Sequence, residues 1–571
     1  MKNREIADLL EEMADILEFK GENPFKISAY RKASRIIGDL TQDIEEIAEQ
    51  GKLKEIPGIG EGMAQKIVEY LKTGKISKFE EARKGVSDEL IAIMDIPGMG
   101  PKTLSMLHRE KGISNLSQLE KALEDGSLIG LFGIGEKKIE NIKRGIQLLK
   151  QSKGRMNLGI AFPLAKRIVE ALREKTGSKS IEWAGSLRRM KENIGDIDIL
   201  ATGPDMEKIV HVFTHLPEVK EVLASGQTKA SVIVEGGTQI DLRVVEENSY
   251  GAALQYFTGS KAHNIHLRGI AKAKGIKINE YGVFKGKKKV GGKDEKDIYR
   301  TLGMDWMEPE LREDRGEIEA AQKGRLPKLV QETDIKGDLH VHSKWSDGTS
   351  SIEEVARAAQ GRGYQYVAIT DHSKSLRIAH GLDETRLMKQ MEEIDRVNEK
   401  LKGFQILKGT EVDILAEGRL DFPEKVLEKF DIVVASIHSG FKQDRAKMTK
   451  RIIQAFENPY LHIFAHPTGR LLGARDPYEV EMDELIEAAK KFGKVLEINA
   501  YFERLDLDDI HCRKAKEMGI QVAISTDSHH PDQMWMMSLG VAVAKRGWLE
   551  KKDVLNTLSL KEILKWCHRA K

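Results

Sequence analysis

Residues 185–200 read Gly-Ser-Leu-Arg-Arg-Met-Lys-Glu-Asn-Ile-Gly-Asp-Ile-Asp-Ile-Leu. The stretch ends in alternation, and on a strand residues two apart share a face. Asp196 and Asp198 therefore fall on one side, Ile197 and Ile199 on the other. Adjacent carboxylates repel unless a cation lies between them. Hard divalent ions such as Mg2+ take oxygen ligands of this kind. Upstream, Gly185-Ser186 suits a turn whose amides and hydroxyl approach phosphate closely, and Arg188 and Arg189 can neutralise phosphate oxygens. A third carboxylate, Asp241, sits on a second alternating stretch, Thr238 to Val245. Asp-x-Asp alone favours the plainer reading of a strand with a solvated acidic face. With Gly-Ser before it and a later Asp, the set points to phosphoryl or nucleotidyl transfer between two metals.

The chain has 571 residues, a length that suggests about four domains. Its formal net charge of +2 does not by itself announce a nucleic-acid binder. Residues 251–300, however, hold 12 Lys and Arg against 4 Asp and Glu, a patch that attracts phosphate backbones. Its other reading is a solvated loop, since part of the surplus is the run Lys285-Gly286-Lys287-Lys288-Lys289. Two cysteines, Cys512 and Cys567, exclude a disulfide framework and fit a reducing cytoplasm. The N-terminus is charged and helix-patterned, unlike a signal peptide, and no apolar run reaches membrane-spanning length. A soluble protein is expected.

Apolar residues recur every three or four positions from Arg4 to Phe19, and a second helix is predicted from Pro24 to Ile37. Then Ile56-Pro57-Gly58-Ile59-Gly60 opens a helical segment, Met63 to Leu71. A Pro-Gly-x-Gly turn at a helix start exposes amides toward an anion. One such turn reads equally as an ordinary tight turn between helices. Its repetition in Ile96-Pro97-Gly98-Met99-Gly100 and Phe132-Gly133-Ile134-Gly135 favours binding to the DNA backbone.

The C-terminal third carries a different pattern. Asp338-Leu339-His340-Val341-His342, Asp347, Asp371-His372, Gly409-Thr410-Glu411, His438, His466 and Asp527-Ser528-His529 mostly end short apolar strands, with helical patterns between them. Polar ligands at the ends of alternating strands are how a β/α barrel builds its site. Six histidines and three carboxylates in register point to metal, and this donor mixture suits Zn2+, Mn2+ or Fe2+.

Gly-Ser-x-x-Arg, Gly-Asp-x-Asp and the later Asp resemble the palm of the nucleotidyltransferase superfamily, and Tyr256-Phe257-Thr258-Gly259-Ser260 is similar to the X-family DNA polymerases. The histidine spacing resembles the polymerase and histidinol phosphatase (PHP) domain. The fold class implied is multidomain: α-helical N-terminal domains with helix-hairpin-helix motifs, an α/β nucleotidyltransferase palm plus thumb, and a C-terminal distorted β/α (PHP) barrel. Expected boundaries are 1–85 and 86–150 for the helical domains, 151–245 palm, 246–315 thumb-position domain, 316–335 linker and 336–571 barrel. Asp196, Asp198 and Asp241 would be catalytic and hold two Mg2+ or Mn2+. Gly185, Ser186, Arg189, Gly195, Tyr256, Phe257, Gly259, Lys261 and Asn264 would bind nucleotide, with Tyr256 filling the space of a 2′-hydroxyl. Gly58, Gly60, Gly98, Gly100, Gly133, Gly135 and Arg268 would meet DNA. Arg243 would pair with a catalytic carboxylate. Lys66 matches a lyase lysine, Tyr30, Arg31 and Lys32 match beside it, and a surface lysine near DNA is its other reading.

By the same resemblance, His340, His342, Glu411 and Asp527 would hold one barrel metal. Glu411, His438 and His466 would hold a second, and Asp347, His372 and His529 a third, with Asp371 and His380 behind them. The implied protein is a monomeric, cytoplasmic repair polymerase acting on gapped or nicked DNA with dNTPs. Its barrel would be a 3′-5′ exonuclease, with AP endonuclease or 3′-phosphatase action. The alternative is a template-independent or ribonucleotide transferase fused to a small-molecule phosphatase.

Overall fold

The computed structural model describes residues 2–38, 44–56, 58–94, 96, 99–128, 131, 134–135, 138–140, 142–143, 146, 156–234 and 237–569. They fall into two compact units, 1–153 and 154–571.

In the first unit, helices Lys2–Phe19 and Pro24–Gly38 bury the stripe Ile6, Leu10, Met13 and Leu17 against Ile27, Tyr30 and Ala33. Arg31 is held by Glu11, Asp15 and Glu18 of the first helix. Helix Glu61–Thr73 starts directly after Gly60. Gly58 has φ +101°, and a Cβ there would run into Ile36, so the turn needs glycine. Gly100 precedes helix Pro101–Lys111, with proline at the first position, where no amide is missed. The Gly135 carbonyl accepts from the amides of Lys138 and Ile139, as at a helix start. Gly98 and Gly133 lie outside the described residues.

The second unit opens with a five-stranded sheet in the order Ser180–Trp183, Ile197–Thr202, Gln239–Val244, Lys229–Val234, Val219–Ser225. Only the pair Ile197–Thr202 and Gln239–Val244 is parallel. Its apolar face, with Ile197, Ile199, Ile240 and Leu242, packs on helices Leu158–Thr176 and Met206–Thr214. The Asn157 side chain caps the first helix by accepting from the Ile160 amide, and Pro163 lies inside it.

Helices Tyr250–Thr258 and Lys261–Ala273, a three-stranded sheet and helix Glu295–Leu302 follow. The lysine run is a hairpin, not a free loop: strands Gly282–Lys285 and Lys288–Gly291 turn at Gly286, φ +61°. Residues 316–335 are also more than the expected linker. Helix Glu317–Gln322 puts Ile318 and Ala321 into the core beside Leu267 and Ile298, and buried Glu317 meets His263 Nδ1 at 2.7 Å. Leu329 bridges Glu550, and Val330 bonds Leu549 at 3.0 Å. An apolar pair on a one-and-a-half-turn helix is too short a stripe to stand out in a polar sequence.

Seven parallel strands then run in chain order from Gly337–Val341 to Val522–Ser525. The last returns to the first: Val341 bridges Ser528, and the His342 amide donates to the Ser528 carbonyl at 2.9 Å. Helices cover the outside, as Ser351 and Glu354 illustrate by forming a capping box at Ile352–Gly361. Helix Leu560–Arg569 packs Ile563 and Cys567 against Tyr366, Ile432, Ile463 and Val495, each the first residue of its strand. That end is therefore plugged by apolar side chains, and the opposite, C-terminal end is left for chemistry.

One buried ion cluster joins the first sheet to the next domain. Arg188 pairs bidentately with Glu295 at 2.7 and 3.0 Å, and Arg312 reaches the same carboxylate at 2.6 Å. Burial opposes the charge on Glu295, but Arg312 and Arg188 hold its carboxyl far below the usual range. Arg188 is thus committed to the fold rather than to phosphate. A depressed folded pKa means that this stability is present above the unfolded value, ~4.3, and is lost as pH falls below it. Glu295→Gln should lower the unfolding free energy at pH 7 by ~3–5 kcal/mol, because two buried cations lose their partner. Denaturant titration would measure it, and a loss below ~1 kcal/mol would contradict the assignment.

Candidate active sites

The first site forms where strand Ser180–Trp183 turns into the one-turn helix Gly185–Arg188. The Ala184 amide donates to the Asp198 carbonyl at 2.8 Å. Gly185 has φ +60°, and a Cβ there would strike Asp198 Oδ2. Ser186 is half-buried in that helix, and Gly195 is a half-buried bend immediately before Asp196. Asp198 and Asp241 are direct partners across the parallel pair. Asp196 lies one residue outside the strand and is exposed. One oxygen from each of the three carboxylates comes within 4.8 Å of the others.

A cleft of about 450 Å³ lies over this pair, lined by Asp198, Asp241, Lys229, Ser231, Arg243 and Phe257. Burial first, then the charges of Asp196 and Asp241, push the Asp198 carboxyl up to about 6; Arg243 and Arg189 pull the other way. Arg243 acts at a distance rather than as the expected ion-pair partner, since its guanidinium rests 4.6 Å over the Phe257 ring. Arg189 donates from Nε to Glu313 at 3.1 Å and from Nη1 to the Thr258 carbonyl.

Tyr256 and Phe257 end helix Tyr250–Thr258, half-buried and edge-to-face at 5.2 Å. Gly259 has φ +70°, and its Cβ would stand 3.2 Å from Arg189 Nη1. Asn264 is buried and already engaged. It donates to the Tyr256 carbonyl at 2.8 Å and accepts from Gln255 at 2.7 Å, fixing the turn that carries Tyr256. Lys261 and Arg268 are exposed on the next helix. In the first unit, Lys66 Nζ donates to the Gly62 carbonyl at 2.8 Å and lies 5.7 Å from the Tyr30 ring. Partial burial, then Lys78 and Lys26, lower its pKa.

The second site sits at the C-terminal ends of the barrel strands. His340 and Glu411 lie within strands, and His342, His372, His438, His466, Asp527 and His529 follow strand ends by one to four residues. Among the described residues, ligand atoms group as His342, Asp347, His372 and His529; as His340, His342 and Asp527; and as His372, Glu411 and His438. His466 Nε2 meets Glu411 Oε1 at 3.0 Å. His342 and His372 thus each serve two groups, a sharing that the sequence expectation lacked. His372 Nδ1 stands 2.8 Å from Glu411 Oε2, yet among the described residues neither atom has a hydrogen-bond partner. His340 Nε2, His342 Nδ1 and His466 Nδ1 are buried and equally unpartnered. Donor atoms left bare at such spacing fit metal ions, since otherwise each would carry an uncompensated burial cost.

Protonation reflects the same crowding. Burial would keep His340 neutral, but Glu497, Asp527 and Glu411 drive its pKa well up. Burial, then His529 and His372, depress His342 to about 3. Burial works against charge on Asp347, but its bonds to His372 and His529 hold it ionised.

Behind these groups, Asp371 accepts from the Ser343 amide at 2.8 Å and from the Ser346 hydroxyl at 2.5 Å. His380, expected to back the ligands, is instead exposed on a left-handed turn. Three supports were missed in sequence. Glu497 meets His340 Nδ1 at 2.8 Å and accepts from the His466 amide at 2.8 Å. Asn499 bridges Glu497 and Asp527, at 3.1 Å to each. Asp413 lies 3.2 Å from His438 Nδ1. Their signal was the alternation Glu497-Ile498-Asn499 and Glu411-Val412-Asp413 at strand ends. Arg504 puts Nε 3.6 Å from Asp527 Oδ2, and among the described residues its buried Nη1 has no hydrogen-bond partner.

Asp198 titrates near 6 in the metal-free protein, so its charge opposes folding from the unfolded pKa upward and fully so above 6. Asp198→Asn should therefore stabilise the metal-free protein at pH 7 by ~2 kcal/mol, the gain vanishing below pH ~4. Thermal melts in chelator at both pH values would read it; equal melting at pH 7 would refute the cost of burying a charged Asp198 beside two other carboxylates. Glu497→Gln should weaken metal retention in the barrel by about 10–100-fold. Metal analysis after dialysis measures this, with unchanged retention as the opposing outcome.

The sequence matches a helix-hairpin-helix domain over residues 1–76, a SAM-like helix-hairpin-helix tandem over 88–147, the DNA polymerase beta thumb over 253–313 and the PHP domain over 338–501. It is 41% identical, over 99% of each chain, to the DNA polymerase/3′-5′ exonuclease PolX of Bacillus subtilis (strain 168). A probable phosphatase of Thermoanaerobacter sp. (strain X514) is 34% identical over 40% of this chain and 94% of its own length. Another, from Caldanaerobacter subterraneus subsp. tengcongensis, is 36% identical over 34% of this chain and 75% of its own. Full-length identity to PolX, with thumb and PHP matches in the same order, means that the chain belongs to the X-family DNA polymerases that carry a C-terminal PHP domain.

Proposed function

We propose that the protein is a DNA-directed DNA polymerase that fills short gaps in base excision repair. In this reading the barrel is a 3′-5′ exonuclease with AP endonuclease or 3′-phosphatase action. The observation that carries it is the pair of separate donor cages, Asp196, Asp198 and Asp241 in one and the barrel imidazoles in the other. Mg2+ or Mn2+ in the first, and up to three Zn2+, Mn2+ or Fe2+ in the second, would supply positive charge to phosphoryl oxygens and lower the pKa of an attacking group.

The chain's own groups do the rest. Gly185, Ser186 and Arg189 hold the triphosphate, with Gly195 allowing the bend that delivers Asp196. Tyr256 excludes a 2′-hydroxyl, and Phe257 packs on the sugar, its ring steadied by Arg243. Lys261 lies over the incoming base. The Asn264 amide, engaged on Tyr256, fixes the sugar-excluding turn. Arg268 and the hairpin glycines Gly58, Gly60, Gly100 and Gly135 take DNA phosphates without reading sequence. A depressed Lys66 pKa leaves more free amine for attack on an abasic sugar. In the barrel, the unpartnered Arg504 Nη1 takes a non-bridging oxygen of the scissile phosphate.

Substrates are gapped or nicked DNA and dNTPs, and a monomer suffices. Cys512 and Cys567 form no disulfide and are both buried, in keeping with a cytoplasmic setting. Among the described residues no helix is long and apolar enough to cross a membrane. A second reading, that the barrel acts on small phosphomonoesters, is favoured by its identity to probable phosphatases. Asp198→Ala should cut primer extension on a gapped duplex by about a thousandfold while primer degradation continues. His438→Ala should do the reverse. Loss of both activities from either folded variant would overturn the two-site assignment, and phosphomonoester hydrolysis without primer degradation would favour the second reading.

A further inference from the structure

The barrel reaches into the nucleotide site through one side chain. Arg546 is the last residue of helix Met537–Arg546, on the outside of the barrel, and its side chain is only 5% exposed. Its Nη1 donates to the Arg189 carbonyl at 2.8 Å and to Glu313 Oε1 at 2.9 Å. That same Glu313 oxygen accepts from Arg189 Nε at 3.1 Å. Arg546 thus grips residue 189 twice, directly at the backbone and through Glu313 at the guanidinium. Its own position is fixed from behind by Asp509, which accepts from Nη2 at 2.6 Å and also from Arg315 at 3.0 Å. The preceding residue, Lys545, pairs with Glu308 at 2.6 Å and Glu310 at 2.7 Å, on the segment that leads to Glu313.

We propose that Arg546, a residue of the hydrolase barrel, is a positioning residue for nucleotide binding in the polymerase site. It rests on the reading that Arg189 takes the triphosphate. The bonds to Glu313 and Thr258 engage Nε and Nη1 of Arg189, and among the described residues no hydrogen bond engages Nη2. A guanidinium held at two of its three nitrogens presents the third at a fixed place, so less rotamer freedom is lost when an anion binds. Glu313 alone does not achieve this. A carboxylate with one cationic neighbour is free to swing toward it, and it would then compete with phosphate for the whole fork. Arg546 anchors that carboxylate, shares its charge and holds the Arg189 backbone at the same time. No metal in the barrel is needed for this support.

The test uses the full-length protein and separates KM for dNTP from kcat during filling of a one-nucleotide gap. Arg546→Gln should raise the dNTP KM about tenfold with kcat changed less than about twofold, as loss of one charge-assisted partner implies. Arg546→Lys should recover part of the effect, because one ammonium reaches Glu313 but cannot also span Asp509 and the Arg189 carbonyl. Degradation of single-stranded primer should persist in both variants, which reports an intact barrel. The deciding measurement is the double variant. In an Arg189→Gln background, Arg546→Gln should add nothing further to KM. An equal rise in that background would mean that Arg546 acts by another route, and the proposal falls. It also falls if Arg189→Gln raises KM while Arg546→Gln does not. If Arg189→Gln leaves KM unchanged, the reading of Arg189 itself fails, and the proposal with it. Should Arg546→Gln lose primer degradation through misfolding, Asp509→Asn carries the test: a raised KM supports the proposal, and an unchanged KM overturns it.

Discussion

Two carboxylates face one another across a parallel strand pair, and much of the polymerase half exists to keep them there. Asp198 and Asp241 are brought together by backbone register, not by mutual attraction. The apolar side of the same strands supplies the holding force, through Ile197, Ile199, Ile240 and Leu242 packed under two helices. Burial first, and then the neighbouring charges of Asp196 and Asp241, raise the pKa of Asp198. Gly185 shows how tight the arrangement is, because any side chain there would collide with Asp198. A site of this kind is strained until a cation arrives, and its stability is borrowed from the sheet.

The barrel solves the same problem with different material. There the carboxylates are held among imidazoles, and charge is spread over alternately raised and lowered pKa values. Glu497 and Asn499 orient this cage from the adjacent strand end. The two halves are also physically continuous. Arg470 of the barrel pairs with Glu192 at 2.7 Å and supports the Arg504 carbonyl at 2.9 Å, while a Cβ on Gly159 would meet Phe502. Each half thereby braces a loop of the other.

Much of this was legible in the sequence for a simple reason: strand alternation writes a face directly into every second residue. Asp196-Ile197-Asp198 and His340-Val341-His342 declare their sidedness, and the strand-end histidines declare a common rim. What was not legible depends on contacts far apart in the chain. Arg188 and Arg189 are neighbours of the same type, yet one is locked by Glu295 and the other by Glu313. Nothing local distinguishes them. Residues 316–335 look like a linker because their apolar content is small, although Glu317 and Ile318 are fully buried. Glu497 and Asn499 lacked a histidine neighbour to flag them. His380 erred the other way, looking like part of the rim but facing out.

The barrel closes where its first strand meets its last, and His342 and Asp527 face each other across that seam, 185 residues apart in sequence. Every other strand pairs with its immediate successor, so the seam is the pairing that pays the largest loop-closure entropy. His342 and Asp527, which group with His340 as donors for a cation, are thus joined across the pairing that closes the longest loop. A bound ion there would work as a clasp on a ring, fastening the join that the polypeptide itself is slowest to make.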